Sequence, residues 1–163
     1  MPQFKARRRV RHSATEMFAL VVDMERYPEF VPLCQDMRVR GRKEVGEGVA
    51  VATARMTVAY KMIREIFTTK VTMHEPELWI TVEYLDGPLH VLSNRWTFRP
   101  ISETASEVEF FINYEFKSRI LSALMGAVFE AAFRRFAGAF EKRADQVYGT
   151  GGGRIVASGC TIG

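Results

Sequence analysis

Two cysteines in 163 residues, Cys34 and Cys160, are too few for a disulfide framework. A reducing, cytoplasmic setting is the expectation. No apolar run approaches about 20 residues, so no helix is expected to span a bilayer. The opening Met1–Arg9 stretch has no apolar core of the secretory type, so no export signal is expected. His12, His74 and His90 are scattered, and no His or Cys pair has metal-ligand spacing. No P-loop and no G-x-G-x-x-G is present, so nucleotide phosphates have no cradle. The Ser, His and Asp residues have no nucleophile-elbow context. Composition therefore asks for no metal and no required cofactor.

What is present is one domain's worth of ordinary globular sequence, 47 % apolar, with a net charge of +4 and a pI of about 9.3. That mild basicity suits an anionic membrane surface and RNA equally. The densest basic run, Arg7-Arg8-Arg9-Val10-Arg11, is either a solvated strand edge or part of such a surface.

Periodicity orders the elements. Residues 4–11 alternate and predict a strand. Ser13 with Glu16 makes a capping box for a short helix over 14–23. Asp23 to Pro32 reads as a second short helix or turn. Strands follow at 36–43, 48–59, 62–73, 77–84, 89–99 and 106–116. Gly46-Glu47-Gly48, Glu75-Pro76, Asp86-Gly87-Pro88 and Ser102-Glu103-Thr104 supply turns between them. The boundary near Tyr60-Lys61 has no Gly or Pro and is the weakest.

The most informative stretch is the last. From Leu121 to Tyr148, apolar residues recur at helical spacing without a proline, four of them Phe, and Gly149 stands where a helix would end. The domain is expected over 1–149, with a disordered glycine-rich tail over 150–163. Strands followed by one long helix indicate an α+β fold. The sheet must curl about the helix to bury its apolar face.

Such an arrangement tends to enclose a cavity. Strand alternation assigns the inward faces: Ala54, Met56 and Val58, then Glu65 and Phe67, then Tyr84, then His90, Leu92, Asn94 and Trp96, then Tyr114. Ala52 and Ala54 are small where a packed core would prefer bulk. An apolar chamber with a few polar groups is the usual chemistry of a small-molecule pocket. The competing reading is a filled core in which Asn94 and the tyrosines satisfy backbone groups. Glu65 is the one inward acid; it is either a general acid or base, or a paired carboxylate. Cys34 reads as a buried structural thiol.

Tyr27-Pro28-Glu29-Phe30-Val31-Pro32 with Cys34 resembles the signature of coenzyme Q-binding START-domain proteins and their relatives, the bacterial ribosome-association toxins. Further matches are Glu65-Ile66-Phe67-Thr68, Asp86-Gly87-Pro88, Asn94-Arg95-Trp96-Thr97-Phe98, Tyr114-Glu115-Phe116 and Ala139-Phe140-Glu141-Lys142-Arg143-Ala144, in order from about residue 3 to 149. The resemblance implies a helix-grip fold: about seven curved antiparallel strands around the C-terminal helix, with two short helices after the first strand. It also implies ubiquinone, a polyisoprenoid quinone, as bound ligand, and a non-enzymatic role supporting respiration.

On that reading the isoprenoid tail lies along Leu121, Leu124, Met125, Val128 and Phe129, facing Met56, Phe67, Leu92 and Trp96. Asn94, Tyr84 and Tyr114 can donate to the quinone carbonyls, and Glu65 only when protonated. Tyr27, Phe30, Val31 and Leu33 form a rim able to dip into the inner membrane, or else a proline-bounded packing corner. The resemblance also carries an alternative, a ribosome partner met through Arg7, Arg8, Arg9, Arg11, Arg38, Arg40, Arg42 and Lys43. A third reading is a cyclase or aromatase with Glu65 as base. A DNA partner is not expected.

Overall fold

In the computed structural model, which describes residues 3–149, the alternating segments form one antiparallel sheet. Its strands are β1 (Gln3–Val10), β2 (Cys34–Gly46), β3 (Val49–Tyr60), β4 (Ile63–His74), β5 (Trp79–Asp86), β6 (Leu89–Ser102) and β7 (Ala105–Phe116), in the order β1-β7-β6-β5-β4-β3-β2. Between β1 and β2 lie helix α1 (Ala14–Val22) and a 3₁₀ helix (Met24–Glu29). Helix α2 (Arg119–Tyr148) closes the chain. The expected tail and Cys160 lie outside the described residues.

Local chemistry sets the ends of these elements. The Ser13 hydroxyl accepts the Glu16 N–H at 3.0 Å, and the Glu16 carboxylate accepts the Ser13 N–H at 3.1 Å, completing the capping box. Helix α2 begins two residues before its apolar run, because Ser118 caps the Leu121 N–H at 3.1 Å. Gly149 ends it with φ of 90°. At Gly48, φ is +74° and a Cβ would stand 2.9 Å from Pro76 Cγ, so only glycine lets the β2–β3 and β4–β5 turns touch. The weak boundary at Tyr60-Lys61 is a tight hairpin: Tyr60 pairs with Ile63, and Lys61 takes φ of 54°.

Curvature comes with slips in register. One lies between Leu89 and Val91, so Leu89 and Leu92 both point inward and His90 is turned out to solvent. The expected inward parity of His90 is thereby corrected. A second lies between Arg40 and Lys43, beside Gly41 with φ of 63°. It turns Arg42 across to Met73 Sδ, at 3.2 Å.

Helix α2 packs on β1, β7 and α1, while α1 packs on β6, β7 and α2. The core lies between the helices and the concave face. Phe140, 1 % exposed, is its hub, with ring centroids 4.9 Å from Trp96, 5.0 Å from Phe30 and 5.3 Å from Tyr27. Among the described residues, no helix is long and apolar enough to cross a membrane.

Candidate functional site

Because α2 packs on the β1–β7 side, the concave face of β2–β5 is left facing a cavity that opens to solvent at its mouth. The strands contribute Ala54, Met56 and Val58, then Phe67, Thr69 and Val71, then Ile80 and Val82, then Leu89, Leu92, Asn94 and Trp96, then Phe110, Ile112 and Tyr114. Helix α2 contributes Phe129, Ala132, Phe133, Phe136 and Phe140. Val31, Pro32 and Leu33 close one side, with Leu33 held at φ of 68° and its carbonyl accepting the Ala59 N–H at 3.0 Å.

Ten of the site residues named from sequence stand in this wall: Tyr27, Val31, Ala54, Met56, Phe67, Leu92, Asn94, Trp96, Tyr114 and Phe129. Seven stand outside it. Phe30 packs edge-on against Phe140, with the Arg143 guanidinium 5.1 Å above its ring. Tyr84 spends its hydroxyl as acceptor for the Leu89 N–H at 2.9 Å, bracing the β5–β6 turn. Glu65 stands directly across from Val58 and shares its face, as its parity demands, but only Val58 belongs to the wall. Met125 is 2 % exposed in the core beside the cavity, and Leu121 and Val128 are half-buried along its flank. Leu124 is 57 % exposed, because the apolar stripe of α2 is wider than the stripe the sheet can cover.

The wall missed by sequence reasoning includes Val21, Val22 and Met24 from α1 and the 3₁₀ helix, and Met37 from β2. Their signal was present in the apolar pattern of residues 17–24, but only the fold shows that this short helix roofs the cavity.

Five side chains with a polar group line the wall: Tyr27, Thr69, Asn94, Trp96 and Tyr114, and the Trp96 indole N–H has no hydrogen-bond partner among the described residues. Three are already engaged. The Tyr27 hydroxyl donates to the Val21 carbonyl, and burial pushes its pKa up. Thr69 donates to the Ala54 carbonyl at 3.5 Å, and the Asn94 amide donates to the Phe111 carbonyl at 2.7 Å. Tyr114, 4 % exposed, makes no side-chain hydrogen bond among the described residues. Burial raises its pKa, and the Glu130 charge adds to the rise, so at neutral pH it is a hydroxyl donor. No Asp, Glu, His, Lys or Arg belongs to the wall. A largely aliphatic and aromatic chamber with two uncommitted donors, the Tyr114 hydroxyl and the Trp96 indole N–H, can accommodate an apolar ligand that carries an acceptor; its wall offers no acid–base pair.

The basic residues separate into two sets. Arg7 and Arg8, on edge strand β1, are bound to Glu109 at 2.7 Å and Glu141 at 2.6 Å. The Arg7 contact holds the Glu109 carboxyl below its ordinary range. Arg38 and Arg40 lie on the opposite edge strand, β2. Arg38 stands directly across from Arg55, a like-charge pair of the kind sheets avoid. Arg40 and Lys70 flank the same register position, Thr53.

Residues 10–141 match the family described as polyketide cyclase / dehydrase and lipid transport. The chain is 36 % identical over 140 residues to the ribosome association toxin RatA of Vibrio cholerae, covering 86 % of this chain and 93 % of that one. It is 25 % identical over 143 residues to the mitochondrial coenzyme Q-binding protein COQ10 of Dictyostelium discoideum, covering 86 % and 68 %. The solution structure of an 18 kDa Caulobacter crescentus protein superposes with a TM-score of 0.75 at 33 % identity, covering 92 % of this chain and all of that one. The chain belongs to this START-like family of polyketide cyclase / dehydrase and lipid transport proteins.

Proposed function

We propose that the protein binds a polyisoprenoid quinone, ubiquinone, in this cavity and acts as a lipid-binding chaperone that supports respiratory electron transport. The observation that carries the reading is the wall itself: predominantly aliphatic and aromatic, with the Tyr114 hydroxyl and the Trp96 indole N–H as donors free of protein partners among the described residues. A quinone carbonyl is an acceptor that Tyr114 can meet. Each CH₂-sized group of an isoprenoid tail gains about 0.8 kcal/mol on leaving water. The likeness to a coenzyme Q-binding protein agrees with this ligand. Glu65, the base an enzymatic reading would need, is not in the wall.

Titration with a short-chain ubiquinone, followed by quenching of Trp96, tests the assignment. Tyr114→Phe should weaken binding by about two- to tenfold, the worth of one neutral hydrogen bond. Equal affinity in both proteins would remove Tyr114 from the site. No quenching by any quinone would remove the ligand.

A second reading follows from the Arg38–Arg55 register. Four cations, Arg38, Arg40, Arg55 and Lys70, share the outer face of β2–β4, and among them only Arg38 is within ion-pair distance of an acid, Asp36 at 3.0 Å. Such a patch suits phosphate, and relatives of this chain are named ribosome association toxins. On this reading Arg40→Gln with Arg55→Gln weakens sedimentation with ribosomes and lowers its salt dependence. Ribosome association unchanged by that pair, or none at all, counts against it.

A further inference from the structure

We propose that one end of the molecule is a membrane-insertion face, at which Met62, Ile66, Leu85, Ile120 and Leu124 enter a phospholipid bilayer and bring the cavity wall against it. These five are exposed by 97, 39, 55, 73 and 57 %, an unusual cost for large apolar side chains on one end of a domain.

Contacts on four segments place them together. Met62 tips the β3–β4 hairpin closed by Tyr60 and Ile63. Asp86 pairs with Thr68, which sets the end of β5 beside the middle of β4, two residues past Ile66. Gly87 lies so close to β4 that a Cβ there would stand 2.9 Å from the Ile66 carbonyl oxygen. The Pro88 carbonyl accepts the Lys117 N–H at 2.9 Å, joining the β5–β6 turn to the start of α2. The Phe67 and Phe129 rings, 6.0 Å apart, join β4 to the third turn of that helix.

The same helix turns carry the second argument. From Ile120 to Phe129 α2 contains no charged residue, although Ile120, Ala123, Leu124 and Ala127 all face outward. From Glu130 onward charge returns, with Glu130, Arg134, Arg135, Glu141 and Lys142. A surface helix normally keeps a charged outer face, and this one carries only Ser122 as an exposed polar side chain where it nears the other apolar tips. Each segment also runs from an exposed residue into the cavity wall: Ile66 to Phe67, Leu85 to Leu89, and Leu124 to Phe129. What covers this end therefore adjoins the chamber.

A bilayer fits better than a second copy of the chain. A stable protein interface takes about 800 Å² and about 20–30 residues a side, whereas a lipid surface needs no matching shape. Five protruding side chains on separate tips suit the latter. Exposed Lys61, Arg64, Lys117 and Arg119 border the tips and can reach headgroups, but Glu65, Asp86 and Glu115 lie among them. Charge at this end nearly balances, so apolar insertion drives the contact.

The inference rests on the lipid-ligand reading for its purpose, and its test is independent of that ligand. Full-length protein is floated with quinone-free phosphatidylcholine–phosphatidylglycerol vesicles. Wild type should co-float, and binding should persist from about 0.1 to about 0.5 M salt. Ile120→Glu with Leu124→Glu should lower partitioning by about tenfold or more. Leu85→Glu, on a separate segment, should lower it too, which guards against a folding defect in the helix variant. Ile101→Glu with Val147→Glu, exposed elsewhere, should float like wild type. Wild type remaining in solution, loss of binding in salt alone, or unchanged flotation of both rim variants would overturn the proposal. So would light scattering showing a dimer that Ile120→Glu with Leu124→Glu dissociates. Vesicle binding without quinone quenching would sink the quinone reading and leave this face standing.

Discussion

His12 Nε2 donates to Asp145 Oδ1 across 2.7 Å, tying the end of β1 to the last turns of α2. The imidazole is 3 % exposed, and its own carbonyl accepts the fully buried Ser106 hydroxyl at 2.8 Å. One turn on, the Tyr148 hydroxyl donates to the Glu16 carbonyl at 3.1 Å. Three elements are thereby pinned at the end of the helix away from the exposed apolar tips.

Asp145→Ala leaves the buried imidazole without its partner and should cost about 1–3 kcal/mol. The check is urea unfolding: a lower midpoint at an unchanged slope. An unshifted midpoint would mean that His12 finds another acceptor or water.

Phe140→Ala should be the most damaging single truncation in the helix, at about 3–5 kcal/mol. Its ring meets Tyr27, Phe30 and Trp96, so its loss opens the junction of the 3₁₀ helix, β6 and α2. Thermal unfolding beside Leu124→Ala, which is exposed and should shift little, makes the comparison.

Cys34 should resist alkylation in the folded protein. Burial, with the Asp36 charge behind it, pushes the thiol up to about 12 from an ordinary 9.0. Well below pH 9 the group is neutral in both folded and unfolded chains and contributes no pH dependence. Above it, the unfolded chain releases this proton while the folded chain keeps it, so stability falls as pH rises toward 12. Cys34→Ala should flatten that alkaline fall. Fast iodoacetamide labelling at pH 8 in native buffer would contradict the burial.

Much of this architecture was readable from residue periodicity, and the failures are local. The alternation of Val108, Phe110, Ile112 and Tyr114 matches a strand buried on one face throughout. His90 slipped because a bulge adds one residue, and a one-residue slip reverses parity. Glu65 has the inward parity of its strand, but parity does not say which side chains of that face reach the cavity. The Lys61 turn carries no glycine and so no signal. The arginines of β1 and β2 form no single surface, because pairing puts those strands on opposite edges of the sheet. Helical spacing marked Leu124 as apolar without revealing that the sheet fails to reach it.

The central claim is that the space between α2 and the sheet holds an isoprenoid ligand. Ala54, 2 % exposed, lines that space, and Ala54→Leu fills it at small cost in stability if the room is real. The direct measurement is mass spectrometry of lipid that co-purifies with each protein from its own host. Wild type should carry polyisoprenoid quinone, and Ala54→Leu, folded to the same thermal midpoint, should carry about tenfold less or none. Equal quinone in both, or none in wild type, would contradict the account.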